Sequence, residues 1–156
     1  MKDELRTVTQ TLDLLNVAKL NLRLIEYGVP PLVWAAQKGY LHAVELLLLK
    51  DGIDPDAKDL FGQTPLLLAA ANGQESVVDL LLAKSAVDPN VKDTHSLYGQ
   101  TPLAWAAKNG HESVVKLLMA NSHVELESMD NSGRTPLALA KENGHVSVCS
   151  LLSSPR

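Results

Sequence analysis

Aromatic side chains are scarce in this sequence of 156 residues: one Phe, three Tyr and two Trp stand against 29 Leu. Sheets draw heavily on aromatic and β-branched residues, whereas Leu and Ala favour helix, so the shortage predicts an all-α fold. Cysteine is scarcer still. Cys149 stands alone, so no disulfide can form within the chain, which argues against a small disulfide-framed secreted scaffold. No Asn-X-Ser/Thr glycosylation acceptor occurs either; both absences lead us to expect an intracellular protein, cytoplasmic or nuclear. Basic charge is not in excess, with 14 Lys and Arg against 18 Asp and Glu and a net charge of −4. Phosphate backbones are held by basic stripes, and none exists here, so nucleic acid is not an expected partner. No apolar run is long enough to span a bilayer. The start, Met1-Lys2-Asp3-Glu4-Leu5, lacks the apolar core of a secretory leader, and membrane association is not expected.

What is present is a repeat. Gly62-Gln63-Thr64-Pro65-Leu66, Gly99-Gln100-Thr101-Pro102-Leu103 and Gly133-Arg134-Thr135-Pro136-Leu137 are copies of one pattern, and Gly28-Val29-Pro30-Pro31-Leu32 is a degenerate fourth. The prolines Pro31, Pro65, Pro102 and Pro136 follow at intervals of 34, 37 and 34 residues, so the middle interval carries three extra residues around Asp93–Leu97. Periods of this length signal stacked supersecondary units. Each unit reads as two short helices. Thr64 can cap the first through its hydroxyl, and Pro65 suits the first helical position because its missing N–H is not needed there. The helix predicted over Leu66–Ala71 stops at Asn72-Gly73, where Gly accepts the left-handed conformation. A second helix is predicted over Glu75–Ala83, with Val77, Val78, Leu81 and Leu82 on its buried side. Val87-Asp88-Pro89-Asn90 forms the turn to the next copy, as does Asp54-Pro55-Asp56 before it and, more loosely, Val124–Glu127 after it.

Gly-X-Thr-Pro-Leu, then Ala-Ala-X-X-Gly-His, then Val-Val-X-Leu-Leu closely resembles the ankyrin repeat, most clearly over Gly99–Met119 and in all over about residues 28–156. The wording Thr-Pro-Leu-Ala-Trp-Ala-Ala-Lys-Asn-Gly-His, with Asp-Pro-Asn turns, is similar to ankyrin arrays common in filamentous fungi. The resemblance implies a solenoid of about four helix-turn-helix repeats, over residues 28–61, 62–98, 99–132 and 133–156, after a lead-in at 1–27. One departure stands out. The family's usual His after Thr-Pro-Leu is replaced by Val33, Leu67, Ala104 and Ala138, which removes a polar bridge between repeats and makes the first helix more apolar.

Stacked repeats bury only their shared faces, so the end units need a polar outer side. In the last copy Lys141 replaces Ala36, Ala70 and Ala107, and Ser153 replaces Leu48, Leu82 and Met119. Residues 130–156 thus read as a closing cap. At the other end Leu5, Val8, Leu12 and Leu15 make one apolar stripe on a helix over about residues 3–16, suited to covering the first repeat. A partner-binding or dimerising helix is its rival use, with the chain otherwise expected to be a monomer.

Catalytic and metal constellations are not found. His111 and His145 recur at the repeat period and so read as scaffold residues, while His42, His95 and His123 have no companion at ligand spacing. Asp51, Asp54, Asp56 and Asp59 lack the Gly and Glu of a calcium loop and read as turn formers. Cys149 aligns with Val78 and Val115 on a buried face, and its one sequence-local base is His145. Trp34 and Trp105 share a repeat position with Leu68 and Leu139, which reads as packing rather than a ligand cage. With no phosphate loop and no nucleophile elbow, neither an enzyme nor a cofactor is expected.

The expected function is therefore that of a protein-interaction module or scaffold. The resemblance implies that a partner is gripped on a concave surface of turn tips and first-helix edges. The solvent-facing, repeat-variable positions on that surface are Tyr27, Val29 and Lys38 in the first copy, and Phe61, Gln63 and Asn72 in the second. Tyr98, Gln100, Lys108 and Asn109 follow in the third, and Arg134 and Glu142 in the fourth. Tyr27, Phe61 and Tyr98 fall at one position, just before the Gly of successive copies. Such a ladder serves either as an interface hot spot or as packing between turns. The alternative function is an accessory or catalytic protein that holds a small molecule in the concave groove, which would need a deep cleft with convergent polar groups.

Overall fold

The computed structural model describes residues 28–94 and 98–154, and among them eight α-helices and no strand. They come in pairs: α1 (Pro31–Lys38) with α2 (Leu41–Leu48), α3 (Pro65–Ala71) with α4 (Glu75–Leu82), α5 (Pro102–Asn109) with α6 (Glu112–Ala120), and α7 (Pro136–Glu142) with α8 (Val146–Leu152). The apolar stripe expected at residues 3–16 lies outside the described residues.

Each helix is seven to nine residues long, too short to persist alone in water. Local chemistry sets the ends. The Thr64 hydroxyl accepts from the Leu67 N–H at 3.2 Å, Thr101 from Ala104 at 3.3 Å and Thr135 from Ala138 at 3.2 Å. In the degenerate first copy Pro30 takes the cap position and offers no side-chain acceptor. Gly110 closes α5 at φ 75°, where its N–H reaches the carbonyl of Ala107; a left-handed residue of this kind ends a helix without a Cβ penalty.

Packing then does what length cannot. The first helices lie side by side, α1 on α3, α3 on α5 and α5 on α7, and the second helices form a parallel row against them. Alanine makes the close approach feasible: Ala35 and Ala36, Ala69 and Ala70, and Ala106 and Ala107 are all fully buried. Leu66, Leu103, Val78, Leu81, Val115 and Leu118 fill the space between the two rows. The last copy differs as its sequence suggested, with Lys141 and Ser153 exposed where the inner copies carry apolar residues. The residues that replace the family's His find an apolar use. Val33 and Leu67 are fully buried with Leu68 in a second cluster, which Val29 and Trp105 cover. Among the described residues no helix is long and apolar enough to cross a membrane.

Candidate functional site

Between one pair of helices and the next the chain forms a finger, and the first and third of these fingers hang from an aspartate at one repeat position. Asp59 Oδ1 accepts the backbone N–H groups of Phe61 and Gln63, both at 2.9 Å. Asp130 Oδ1 does the same for Ser132 and Arg134, both at 2.9 Å. Neighbouring fingers are joined through their backbones, since Thr94 donates to the Phe61 carbonyl at 2.9 Å and Asn131 to that of Tyr98 at 2.8 Å. Phe61 and Tyr98 thereby hold corresponding places on adjacent tips. Their side chains stay accessible, Phe61 at 48% and Tyr98 at 37%, with Leu60 beside them at 76%.

The second finger breaks the pattern. Asp93 is the equivalent of Asp59 and Asp130 once the three extra residues are allowed for, and its N–H still bonds the Gln100 carbonyl at 3.1 Å. Its side chain is redirected: Oδ2 accepts the Trp105 indole N–H at 2.6 Å, while Oδ1 is buried without a hydrogen-bond partner among the described residues. The indole is thus pinned rather than merely packed. Lys108 Nζ lies 4.5 Å from the Trp105 ring centroid and 4.9 Å from that of Tyr98, inside the range in which an aromatic face attracts a cation.

Arg134 reaches the same ring from the fourth copy, 5.7 Å from the centroid of Tyr98. It is already paired, with Asp130 at 2.9 Å and Glu142 at 3.2 Å. Burial pushes the Asp130 carboxyl up, but the Arg134 N–H and guanidinium, the Gln100 amide and the Ser132 N–H outweigh it and hold the group below its usual range. The Asp130 pairing in turn makes the Arg134 guanidinium harder still to deprotonate.

Of the other residues expected at the surface, Lys38 is exposed, and Gln63 and Val29 are half-buried, with Val29 packed on the apolar seam. Asn72 folds back to donate to the Leu68 carbonyl at 2.8 Å. Asn109 instead crosses to the preceding copy and donates to the Ala71 carbonyl at 2.8 Å. Tyr27 lies outside the described residues. Gln100 is a correction: it was expected to face solvent, yet it is fully buried, with Nε2 donating to Asp130 Oδ2 at 3.3 Å. The Asp130 carboxylate of the following copy draws the side chain inward, and the spacing of a five-residue motif does not reveal that. Sequence reasoning also missed Asp93 and Asp130, although their shared repeat position with Asp59 was a usable signal.

The recurring histidines join copies. His111 Nε2 reaches the Ala71 carbonyl at 3.0 Å and His145 Nε2 the Lys108 carbonyl at 2.9 Å, which accounts for their period. Cys149 packs against the core. The acidic run acts in turns, with Asp54 Oδ1 accepting the Asp56 N–H at 2.9 Å. A cleft of about 610 Å³ is lined by the loop from Leu82 to Asn90 together with Asn121 and His123. It takes in no fingertip and no first helix, so it is not the groove that a small-molecule function would need.

Comparison with known families agrees with this architecture. A family model of ankyrin repeats in three copies matches residues 4–93 and 87–155. No curated protein matches the chain.

Proposed function

The chain belongs to the ankyrin-repeat family, and from that premise we propose that it is a protein-interaction module whose partner lies across the fingertips and the first-helix row, the concave face in this family. The observation that carries the reading is the accessible apolar edge made by Leu60, Phe61 and Tyr98 on adjacent tips. Large apolar side chains ordinarily retreat from water, and aromatic anchors ringed by polar groups are what interface hot spots use. Lys38, Lys108, Arg134 and Glu142 supply the polar surroundings, while Gln63, Asn72 and Asn109 stand between. Val29 and Gln100 support the face from beneath. The same reading assigns residues 130–156 to a closing cap, residues 1–27 to a capping helix and lead-in, and Tyr27 to the row of rim aromatics with Phe61 and Tyr98.

The test is capture of partner proteins from a cell extract on the immobilised chain, repeated with Phe61→Ala and Tyr98→Ala combined. We expect the double variant to lose most capture while its melting temperature falls by only about 5 °C, since exposed side chains carry little packing energy. Undiminished capture by a folded double variant would refute the assignment of the face.

A further inference from the structure

We propose that the partner presents a carboxylate to Lys108, from an Asp or Glu side chain with an apolar neighbour, so that the second finger is the selective part of the interface. The inference rests on the interaction-module reading above and names the chemistry of its partner.

The four copies provide an internal control. At the position of Lys108 they carry Gln37, Ala71, Lys108 and Glu142, so stacking the repeats does not call for a cation there. Where the charge in the last copy is Glu142, it is engaged by Arg134 at 3.2 Å. Lys108 has no carboxylate partner among the described residues. Its ammonium lies against Trp105 and Tyr98 instead, and aromatic faces attract the charge without satisfying its three N–H donors.

Those surroundings are built, not incidental. Asp93 leaves the finger turn that Asp59 and Asp130 serve and fixes the Trp105 indole at 2.6 Å. The Lys108 carbonyl is held by His145 of the following copy at 2.9 Å. Two rings and a fixed backbone therefore restrict a side chain that would otherwise sample many rotamers. Pre-paid ordering of this kind strengthens a charge-assisted hydrogen bond when the acceptor arrives.

Charge decides which anion fits. Arg134 is matched by Asp130 and Glu142, so Lys108 is the positive charge of this cluster still open to a partner. The whole chain carries −4, and both acids stand close by, which disfavours a polyacidic tract or a dianion. A single carboxylate suits one lysine. An apolar side chain next to it falls on the edge formed by Tyr98 and Phe61.

A phage-displayed library of random twelve-residue peptides, selected on the full chain, tests this. Lys108→Gln and Lys108→Arg serve as variants, both checked for native circular dichroism and melting. The expected pool carries one Asp or Glu beside a Leu, Phe or Trp. Its peptides should lose affinity on the order of tenfold on Lys108→Gln, as for removal of one partner of a close charge pair, and keep most of it on Lys108→Arg. Changing the peptide's acid to its amide should cost the same on the native chain and almost nothing on Lys108→Gln. Peptides that need Phe61 and Tyr98 but carry no acid, or are indifferent to Lys108→Gln, would overturn the carboxylate and leave the module reading standing. A pool rich in Lys and Arg would overturn it too. A library that yields no binder, or only binders indifferent to Phe61 and Tyr98, would count against both.

Discussion

Asp56 and Asn90 share one repeat position, 34 residues apart, and use it differently. Asn90 engages both ends of its amide: Nδ2 donates to the His123 carbonyl at 2.7 Å, and Oδ1 accepts the Glu125 N–H at 2.9 Å. Asp56 reproduces half of this, its Oδ2 accepting the Asp88 N–H at 2.8 Å, while Oδ1 is buried with no hydrogen-bond partner among the described residues. A carboxylate has no proton to offer where the amide has two. Burial accordingly raises the Asp56 carboxyl above its ordinary range, against the pull of the Asp88 N–H. Because the folded value is the higher one, the fold favours the protonated acid. That stabilisation is complete below the unfolded carboxylate range and is lost as pH rises through the raised folded value. Asp56→Asn should therefore stabilise the protein by about 1 kcal/mol at pH 7, with the gain shrinking as pH falls through the raised folded value and smallest below the ordinary carboxylate range. Urea titrations at pH 7 and pH 3 measure both; equal gains at the two values would rule the charge out as the cause.

At the scale of the helices, the ends matter more than the middles. Thr caps and N1 prolines start three of the four first helices, and left-handed glycines release the chain toward the second. Two of these glycines differ in what lies above them. A Cβ at Gly110 would stand 2.5 Å from Nδ1 of His145, the ring that ties α7's copy to Lys108, whereas nothing lies within 4 Å of a Cβ at Gly144. Both take φ 75°, so Ala at either bears the same backbone strain, about 1 kcal/mol. Gly110→Ala should cost about 2 kcal/mol more than Gly144→Ala, because the histidine ring must give way in a packed seam. Chemical denaturation of the two variants gives the difference directly, and matching values would mean that the ring moves freely. Apolar packing adds to these ends along the first helices, where Val33, Leu67 and Leu68 form a buried seam.

Across the stack, every substantial helix contact among the described residues lies within a pair or between adjacent pairs. Stability in such an array is a sum of neighbour terms, and each inner face is costly to uncover. The copy from Asp130 to Ser154 covers Leu103, Ala106 and Ala107 of α5, and α8 lies on α6. Removing residues 130–156 should lower the melting temperature by on the order of 10 °C and expose enough apolar surface to promote association. Calorimetry and light scattering follow the two effects; an unchanged, monomeric melt would show that α5 and α6 need no cover.

The sequence alone determined the period, the pairing of short helices and the solvent-facing last copy. These follow from residues whose meaning is local: a Thr that caps, a Pro that fits the first turn, a Gly with positive φ, and apolar spacing that repeats along the chain. It also placed Phe61 and Tyr98 together, because position within a repeat becomes position on a face. Tertiary structure decided the fate of Gln100, the fixing of Trp105 by Asp93, and the place of Lys108 between two rings. Those depend on contacts between one copy and the next, and the distances across them are set by the stack rather than by any pattern within one copy.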